Sequence, residues 1–302
     1  MTARELKRFL PVAIIGIVVL AIAVLVMGDN DPTGGGSATA SDAPANPERA
    51  KPPETGSNAA KSVAITPQST EKVSGPHDDA VPILMYHVTK TAPTGTPYPD
   101  LWVSKADFQG QMNWLKDNGY TGITMAQLFK YWDEGYRLPD KPVVLTFDDG
   151  YPSHDKIARP ILAKLGWPGT LFLEIKNVGS PETGFTAKMV KNLIASGWEI
   201  GSHTINHPDL TKIGAAQLKS EVEDSRKQIA AKYDVSVDYF CYPAGRFNDS
   251  VVSAVERAGY TGATTTVEGL ATRSKPFELK RIRIGGSDGV NGFAAKMRQA
   301  EQ

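Results

Sequence analysis

From residue 82 onward the chain alternates short apolar runs with amphipathic stretches, and this alternation restricts the available folds more than any other feature. Strand-like segments fall at 82–86, 143–147, 170–173, 198–201, 239–242, 261–265 and 281–284. Between them the spacing predicts helices at 104–118, 157–165, 186–196, 215–233 and 250–258. In the first of these Ser104 stands at a capping position, and Phe108, Met112 and Leu115 recur on one face. Strands that are apolar throughout are buried on both sides, as in a parallel sheet covered by helices. Seven such strands between residues 80 and 302 suit a barrel better than a doubly wound sheet. No glycine-rich phosphate loop follows any of them, which argues against a nucleotide-binding fold.

The N-terminal part differs in composition. Residues 9–27 form an apolar run without a charge, preceded by Arg4, Lys7 and Arg8 and followed by Asp29 and Asp31. A helix of about 20 residues spans a bilayer core of roughly 30 Å, and the positive flank stays cytoplasmic. The run exceeds the usual ~7–15-residue signal-peptide core and lacks an Ala-x-Ala cleavage site, which favours an uncleaved anchor. Residues 28–79 contain no Leu, Phe, Trp or Tyr, too little apolar surface to offset the entropy of ordering. The expected organisation is a cytoplasmic segment at 1–8, a transmembrane signal-anchor helix at 9–27 and a flexible linker at 28–79, which includes His77. A folded domain follows at 80–302, held outside the cell membrane.

Charge and cysteine content narrow the function. Lys+Arg and Asp+Glu both number 33, so no basic footprint points to nucleic acid. Cys241 is the only cysteine, which excludes a disulfide framework and a cysteine-cluster metal site.

Three polar clusters follow predicted strands: Asp148-Asp149-Gly150, Ser202 to His207, and Tyr242-Pro243-Ala244-Gly245. In a parallel barrel the C-terminal strand ends share one rim where catalytic groups collect, so these clusters are expected to converge. Alone, Asp149-Gly150 is a turn signal and the two histidines are polar loop residues. Together they form a different pattern. His203 and His207, four apart, can ligate one ion, although Thr204 stands where the zinc-protease motif needs glutamate. Two histidines and a carboxylate make a three-ligand site with open positions for water and substrate. Adjacent carboxylates repel unless a cation neutralises one, which frees the other to act as general base on water.

The series Thr146-Phe147-Asp148-Asp149-Gly150, His203-Thr204-Ile205-Asn206-His207-Pro208 and Tyr242-Pro243-Ala244-Gly245 resembles the successive motifs of the polysaccharide deacetylase family (NodB-homology domain, carbohydrate esterase family 4) over roughly residues 81–286. The resemblance implies a distorted (β/α) barrel and a divalent metal, usually zinc. It makes Asp148 the base and Asp149, His203 and His207 the ligands. A backbone N–H in the turn of Tyr242 and Ala244, that of Ala244 in the first place, would serve the oxyanion. Many members carry an arginine in the third motif that orients the base; here Phe240 and Cys241 stand there, and Arg246, Arg281 and Arg283 are the candidate replacements. The late Leu-x-x-His motif that supplies the general acid is missing, since no histidine follows His207. A branch resembling the poly-N-acetylglucosamine deacetylases draws that histidine from the first strand, where Met85-Tyr86-His87 matches, so His87 is the expected acid. His154 is expected on the surface and Cys241 as an inert buried thiol. Tyr98, Trp102, Trp132 and Tyr136 are candidates for stacking on sugars or for the core.

The implied reaction is removal of N-acetyl groups from an N-acetylglucosamine-containing polysaccharide at the cell surface. The competing expectations are an O-acetyl esterase acting on a polymer such as acetylxylan, and a glycan-binding protein with a decayed site.

Overall fold

Every strand-to-strand ladder in the domain is parallel. The computed structural model describes residues 69–73 and 75–301. The transmembrane helix expected at 9–27 lies outside them, and among the described residues no helix is long and apolar enough to cross a membrane. In chain order the elements are β1 (Ile83–Tyr86), α1 (Lys105–Asp117), β2 (Tyr120–Ile123), α2 (Met125–Glu134), β3 (Lys141–Asp149), α3 (Arg159–Leu165), β4 (Thr170–Leu173), α4 (Ala187–Ala195) and β5 (Glu199–Ser202). They continue with α5 (Ala215–Lys219), α6 (Ser225–Tyr233), β6 (Tyr239–Cys241), α7 (Asp249–Arg257), β7 (Gly262–Glu268), β8 (Leu279–Arg283) and α8 (Gly289–Ala300). Two π-helical turns, His154–Ala158 and Ser220–Asp224, interrupt the helical stretches before α3 and between α5 and α6.

The order β1-β3-β4-β5-β6-β7-β8 closes on itself through the β8–β1 and β1–β3 pairings, giving the expected seven-stranded barrel. An eighth strand, β2, was not anticipated. The nine-residue β3 is long enough to pair along one edge first with β2, at Lys141 to Val144, and then with β1, at Val144 to Phe147. Strand β2 is thus appended near the start of β3 rather than inserted into the ring.

Side-chain alternation separates two cores. Leu84, Leu145, Phe147, Leu171, Phe240 and Ile282 pack outward against the helices. Ile83, Val144, Phe172, Tyr239, Cys241 and Leu279 cluster instead with Met125, Leu128, Phe129 and Trp132 of α2. Helix α2 therefore covers the barrel interior at the end where β2 and β3 begin. Its N-terminus is held by Glu199, which accepts from the backbone N–H groups of Met125 and Ala126, both at 3.0 Å. Trp132 is fully buried in this core and is no sugar platform.

The boundary of the folded domain also shifts. Val73 N–H donates to Gly135 O, Arg137 N–H to Glu71 O and His77 N–H to Trp132 O, at 2.9–3.0 Å. The His77 ring stacks on Tyr131 with centroids 4.3 Å apart. Residues 71–73 and 75–79, expected as part of the linker, instead lie along α2. Composition misread them because backbone hydrogen bonds, not apolar side chains, hold them.

Strand β5 leaves no room for a side chain at Gly201, where a Cβ would lie 2.6 Å from Phe172 and 2.8 Å from the Tyr239 carbonyl. The carbonyl belongs to the neighbouring strand and cannot step aside. Gly201→Ala is expected to destabilise the domain by about 1–3 kcal/mol, as overpacking does, measured as a lower midpoint in urea unfolding.

Candidate active site

The three polar clusters meet at the C-terminal rim of the barrel, and the local backbone is strained where they do. Asp149, the last residue of β3, has φ 74°, and Gly150 N–H closes back onto Asp148 O at 3.0 Å. A left-handed central residue within an i→i+2 hydrogen bond is the rarer and strained form of γ-turn. The Asp149 carbonyl is pinned by Glu174 N–H and by Asn177 Nδ2, both at 3.1 Å. The turn aims Asp148 into the barrel and leaves Asp149 at its mouth.

At the mouth, Asp149 Oδ1 lies 3.4 Å from His203 Nε2 and 3.9 Å from His207 Nε2. Ligand atoms about 2.0–2.2 Å from a tetrahedral ion stand roughly 3.3–3.6 Å apart, so these donors fit a shared divalent cation with little adjustment. His203 Nδ1 bonds to the Cys241 carbonyl at 2.7 Å. That partner requires the proton on Nδ1 and leaves the Nε2 lone pair facing Asp149. Asp148, His203 and Cys241 also lie close enough to share an ion. That set is a poor cation site, because the Arg281 guanidinium already contacts Asp148 and Cys241.

Arg281 resolves the missing arginine. Fully buried on β8, it engages all five of its N–H groups: Nε with Thr265 O (2.8 Å), Nη1 with Thr146 Oγ1 (3.1 Å) and Asp148 Oδ1 (2.8 Å), and Nη2 with Asp148 Oδ2 (2.8 Å) and Cys241 Sγ (3.2 Å). Burial works against the Asp148 charge, but Arg281 outweighs it and holds the carboxyl below its ordinary range. Asp148 is thus kept ionised and fixed in one orientation. Arg246 instead pairs with Asp209 on the surface at 3.0 Å. Arg283, one pleat beyond Arg281, contributes to lowering the pKa of His87.

His87 follows β1 and places Nε2 4.0 Å from Asp148 Oδ2. Its pKa is lowered, mainly by burial and against the pull of Asp149 and Asp148. His154 is not on the surface as expected; it is fully buried. Its Nδ1 accepts from Tyr151 N–H at 3.3 Å, so Nε2 carries the proton and donates to His87 O at 2.5 Å. The hydroxyl of Ser153 accepts from Thr89 N–H at 3.1 Å, tying down the next stretch of the same segment. The π-helical turn beginning at His154 therefore fixes the backbone that presents His87.

The turn after β6 is read by elimination. Pro243 has no N–H, Gly245 N–H donates to Tyr242 O at 2.8 Å, and Tyr242 N–H donates to Thr264 O at 3.2 Å. The N–H of Ala244 remains, on an exposed residue at φ 51°. Tyr242 must be corrected: its side chain is fully buried and its hydroxyl donates to Phe277 O at 3.0 Å, so it has no group free for substrate. Glu174 and Asn177 went unrecognised in the sequence because nothing marks them but a position just past β4. Burial and the Asp149 charge push the Glu174 carboxyl up to about 7.

With this geometry established, comparison with known proteins gives a consistent result. The profile of the polysaccharide deacetylase family matches residues 135–263. YxkH of Bacillus subtilis (strain 168), named for the same family, is 34% identical over 215 residues, covering 71% of this chain and 74% of that protein. The poly-beta-1,6-N-acetyl-D-glucosamine N-deacetylase of Escherichia coli (strain K12) is 25% identical; the alignment covers 77% of this chain but only 41% of the longer enzyme. Among solved structures, the Streptococcus pyogenes deacetylase PplD in complex with acetate superposes with a TM-score of 0.68 at 26% identity, covering 73% of this chain and 99% of that one.

Lysine at position 281 would keep the charge and lose the fork. In Arg281→Lys the Asp148 carboxyl rises toward its ordinary range, so the acid limb of the pH–rate profile moves to higher pH. Misorientation of Asp148 should lower kcat/KM by about 10²-fold. Arg281→Met leaves a buried carboxylate unpaired and is expected to cost about 3–5 kcal/mol of stability, read by denaturant unfolding.

Proposed function

The chain belongs to the polysaccharide deacetylase family, and on that footing we propose that it hydrolyses N-acetyl groups from an N-acetylglucosamine-containing polysaccharide at the cell surface. One observation carries the reading: a three-donor set, Asp149, His203 and His207, stands beside a carboxylate, Asp148, that a separate buried arginine holds ionised. Asp148 and the donor Asp149 are adjacent in sequence yet independently fixed. The likeness to poly-beta-1,6-N-acetyl-D-glucosamine N-deacetylases favours a β-linked N-acetylglucosamine polymer as substrate. The apolar run at 9–27 would anchor the chain in the membrane with the barrel outside.

Asp149, His203 and His207 would hold the ion, for which zinc suits a two-imidazole, one-carboxylate set. When bound, such an ion supplies Lewis acidity and acidifies water. Asp148 takes the proton of the water that attacks the acetamide carbon. Ala244 N–H donates to the carbonyl oxygen as negative charge gathers there. His87 protonates the departing nitrogen. Because burial keeps His87 neutral at rest, the proton it gives is the one Asp148 took from water. His87 Nε2 stands 4.0 Å from Asp148 Oδ2, so donor and acceptor of that proton are neighbours. Acetate and a free amino sugar leave, and a neutral polymer becomes cationic.

The test measures metal content and acetate release. Purified protein should contain about one equivalent of divalent metal and release acetate from N-acetylglucosamine oligomers in preference to acetylxylan. Chelation should abolish turnover, and added zinc should restore it. In Asp148→Asn activity should fall by at least about 10³-fold, the scale of losing a general base, with metal content unchanged. Preference for acetylxylan would assign an O-acetyl esterase; a metal-free protein inert on both substrates would overturn the reading.

A further inference from the structure

Glu221 is a buried carboxylate that neither binds at the mouth of the barrel nor pairs with a cation. It lies in the π-helical turn Ser220–Asp224 and is 2% exposed. Its Oε2 accepts from the backbone N–H groups of Ile205 at 2.8 Å and Asn206 at 2.9 Å, and its Oε1 accepts from Asn206 Nδ2 at 2.8 Å. Among the described residues no lysine or arginine forms an ion pair with it. All three donors belong to the loop between His203 and His207.

That loop would not hold its shape unaided. Thr204 has φ 69° and His207 φ 56°, conformations that are strained in residues with a Cβ. It is held from two sides. The carbonyls of Thr204 and Ile205 accept from Ile175 N–H (3.2 Å) and Lys176 N–H (3.0 Å), while the N–H groups of Ile205 and Asn206 turn to Glu221. Within the loop, Thr204 Oγ1 accepts from His207 N–H at 2.9 Å. Without the carboxylate, two adjacent N–H groups would lose their partner and the fixed spacing of the two imidazoles would relax. π-Helical turns interrupt regular helices frequently at functional sites, and this one sets a side chain against the strained loop.

We propose that Glu221 is a positioning residue for the metal site: it fixes the 203–207 loop so that His203 Nε2 and His207 Nε2 face Asp149 Oδ1 together. The proposal rests on reading those three residues as metal donors. Glu199 provides a matched control. It too accepts two successive backbone N–H groups, those of Met125 and Ala126, but at the α2 end of the barrel.

Full-length Glu221→Gln and Glu199→Gln are compared with wild type by zinc competition against a chromophoric chelator, by the visible spectrum of the cobalt-substituted protein, and by thermal unfolding of the metal-free forms. Glutamine preserves the volume, and the metal-free unfolding midpoint shows whether each variant is folded. Glu221→Gln keeps one acceptor but removes the charge and sets an amide N–H2 against Asn206 Nδ2. It is expected to weaken zinc binding by about 10-fold, the low end for loss of an outer contact at a metal site, and to alter the cobalt spectrum. Glu199→Gln is expected to lower the unfolding midpoint while binding zinc as wild type does. Unchanged zinc affinity in Glu221→Gln, or an equal loss in Glu199→Gln, would overturn the positioning role alone. A wild-type protein that binds no zinc or cobalt would overturn the donor reading beneath it.

Discussion

A guanidinium buried inside a barrel must be answered by a carboxylate and by enough acceptors for every donor, and the pairing of Arg281 with Asp148 meets that requirement. Taking both charges out of water costs several kcal/mol per ion, which their attraction offsets only where the geometry is nearly ideal. Here each carboxylate oxygen meets one N–H at 2.8 Å and the other three donors have partners. The layers of the barrel interior follow from this pair. Below it the inward side chains are mostly apolar, and at the end that α2 covers Glu199 is bonded to Thr170 and to the N-terminus of that helix. Above it two imidazoles face the carboxylate of Asp149, and among the described residues no lysine or arginine pairs with it, which leaves room for a metal ion. Because the pair is satisfied internally, Asp148 can stay ionised without drawing on that ion.

Strain is concentrated at the same end. Six residues other than glycine adopt positive φ among the described residues, and four of them, Asp149, Thr204, His207 and Ala244, lie in the site. Each is held by neighbouring hydrogen bonds: the Asp149 carbonyl by Glu174 and Asn177, the 203–207 loop by Glu221 and residues 175–176, the Ala244 turn by closure of Gly245 onto Tyr242. The rigid ladders bring the segments together. The bent residues then turn individual groups toward a common point, which regular strand geometry would not do.

How much of this was legible in the sequence depended on whether the signal was local. The seven barrel strands were, because apolar runs of four or five residues announce themselves. Strand β2 was not, since Tyr120–Ile123 carries a glycine and gains its place only by pairing with β3. The cluster of Asp149, His203 and His207 was readable because two of the three sit four residues apart. His154 was misplaced because the burial of a polar ring depends on a partner, the His87 carbonyl, 67 residues away. The arginine could be narrowed to three positions but not chosen. The choice is made by strand order and by the inward pleat of β8, neither of which is written near residue 281.

The same register explains how Asp148 can meet an arginine although the third motif carries none. Position 241 lies on β6, inward-facing, with its Sγ 3.2 Å from Arg281 Nη2 and 3.6 Å from Asp148 Oδ2. An arginine there would have to occupy the volume that the Arg281 guanidinium fills. It would also find both oxygens of Asp148 already bonded, so two buried cations would compete for one carboxylate. A small thiol avoids both conflicts and offers a weak acceptor to the fifth N–H. Cys241 and Arg281 are therefore best understood as one arrangement: the cation reaches Asp148 from β8 instead of β6, and the residue at 241 must be small because it does.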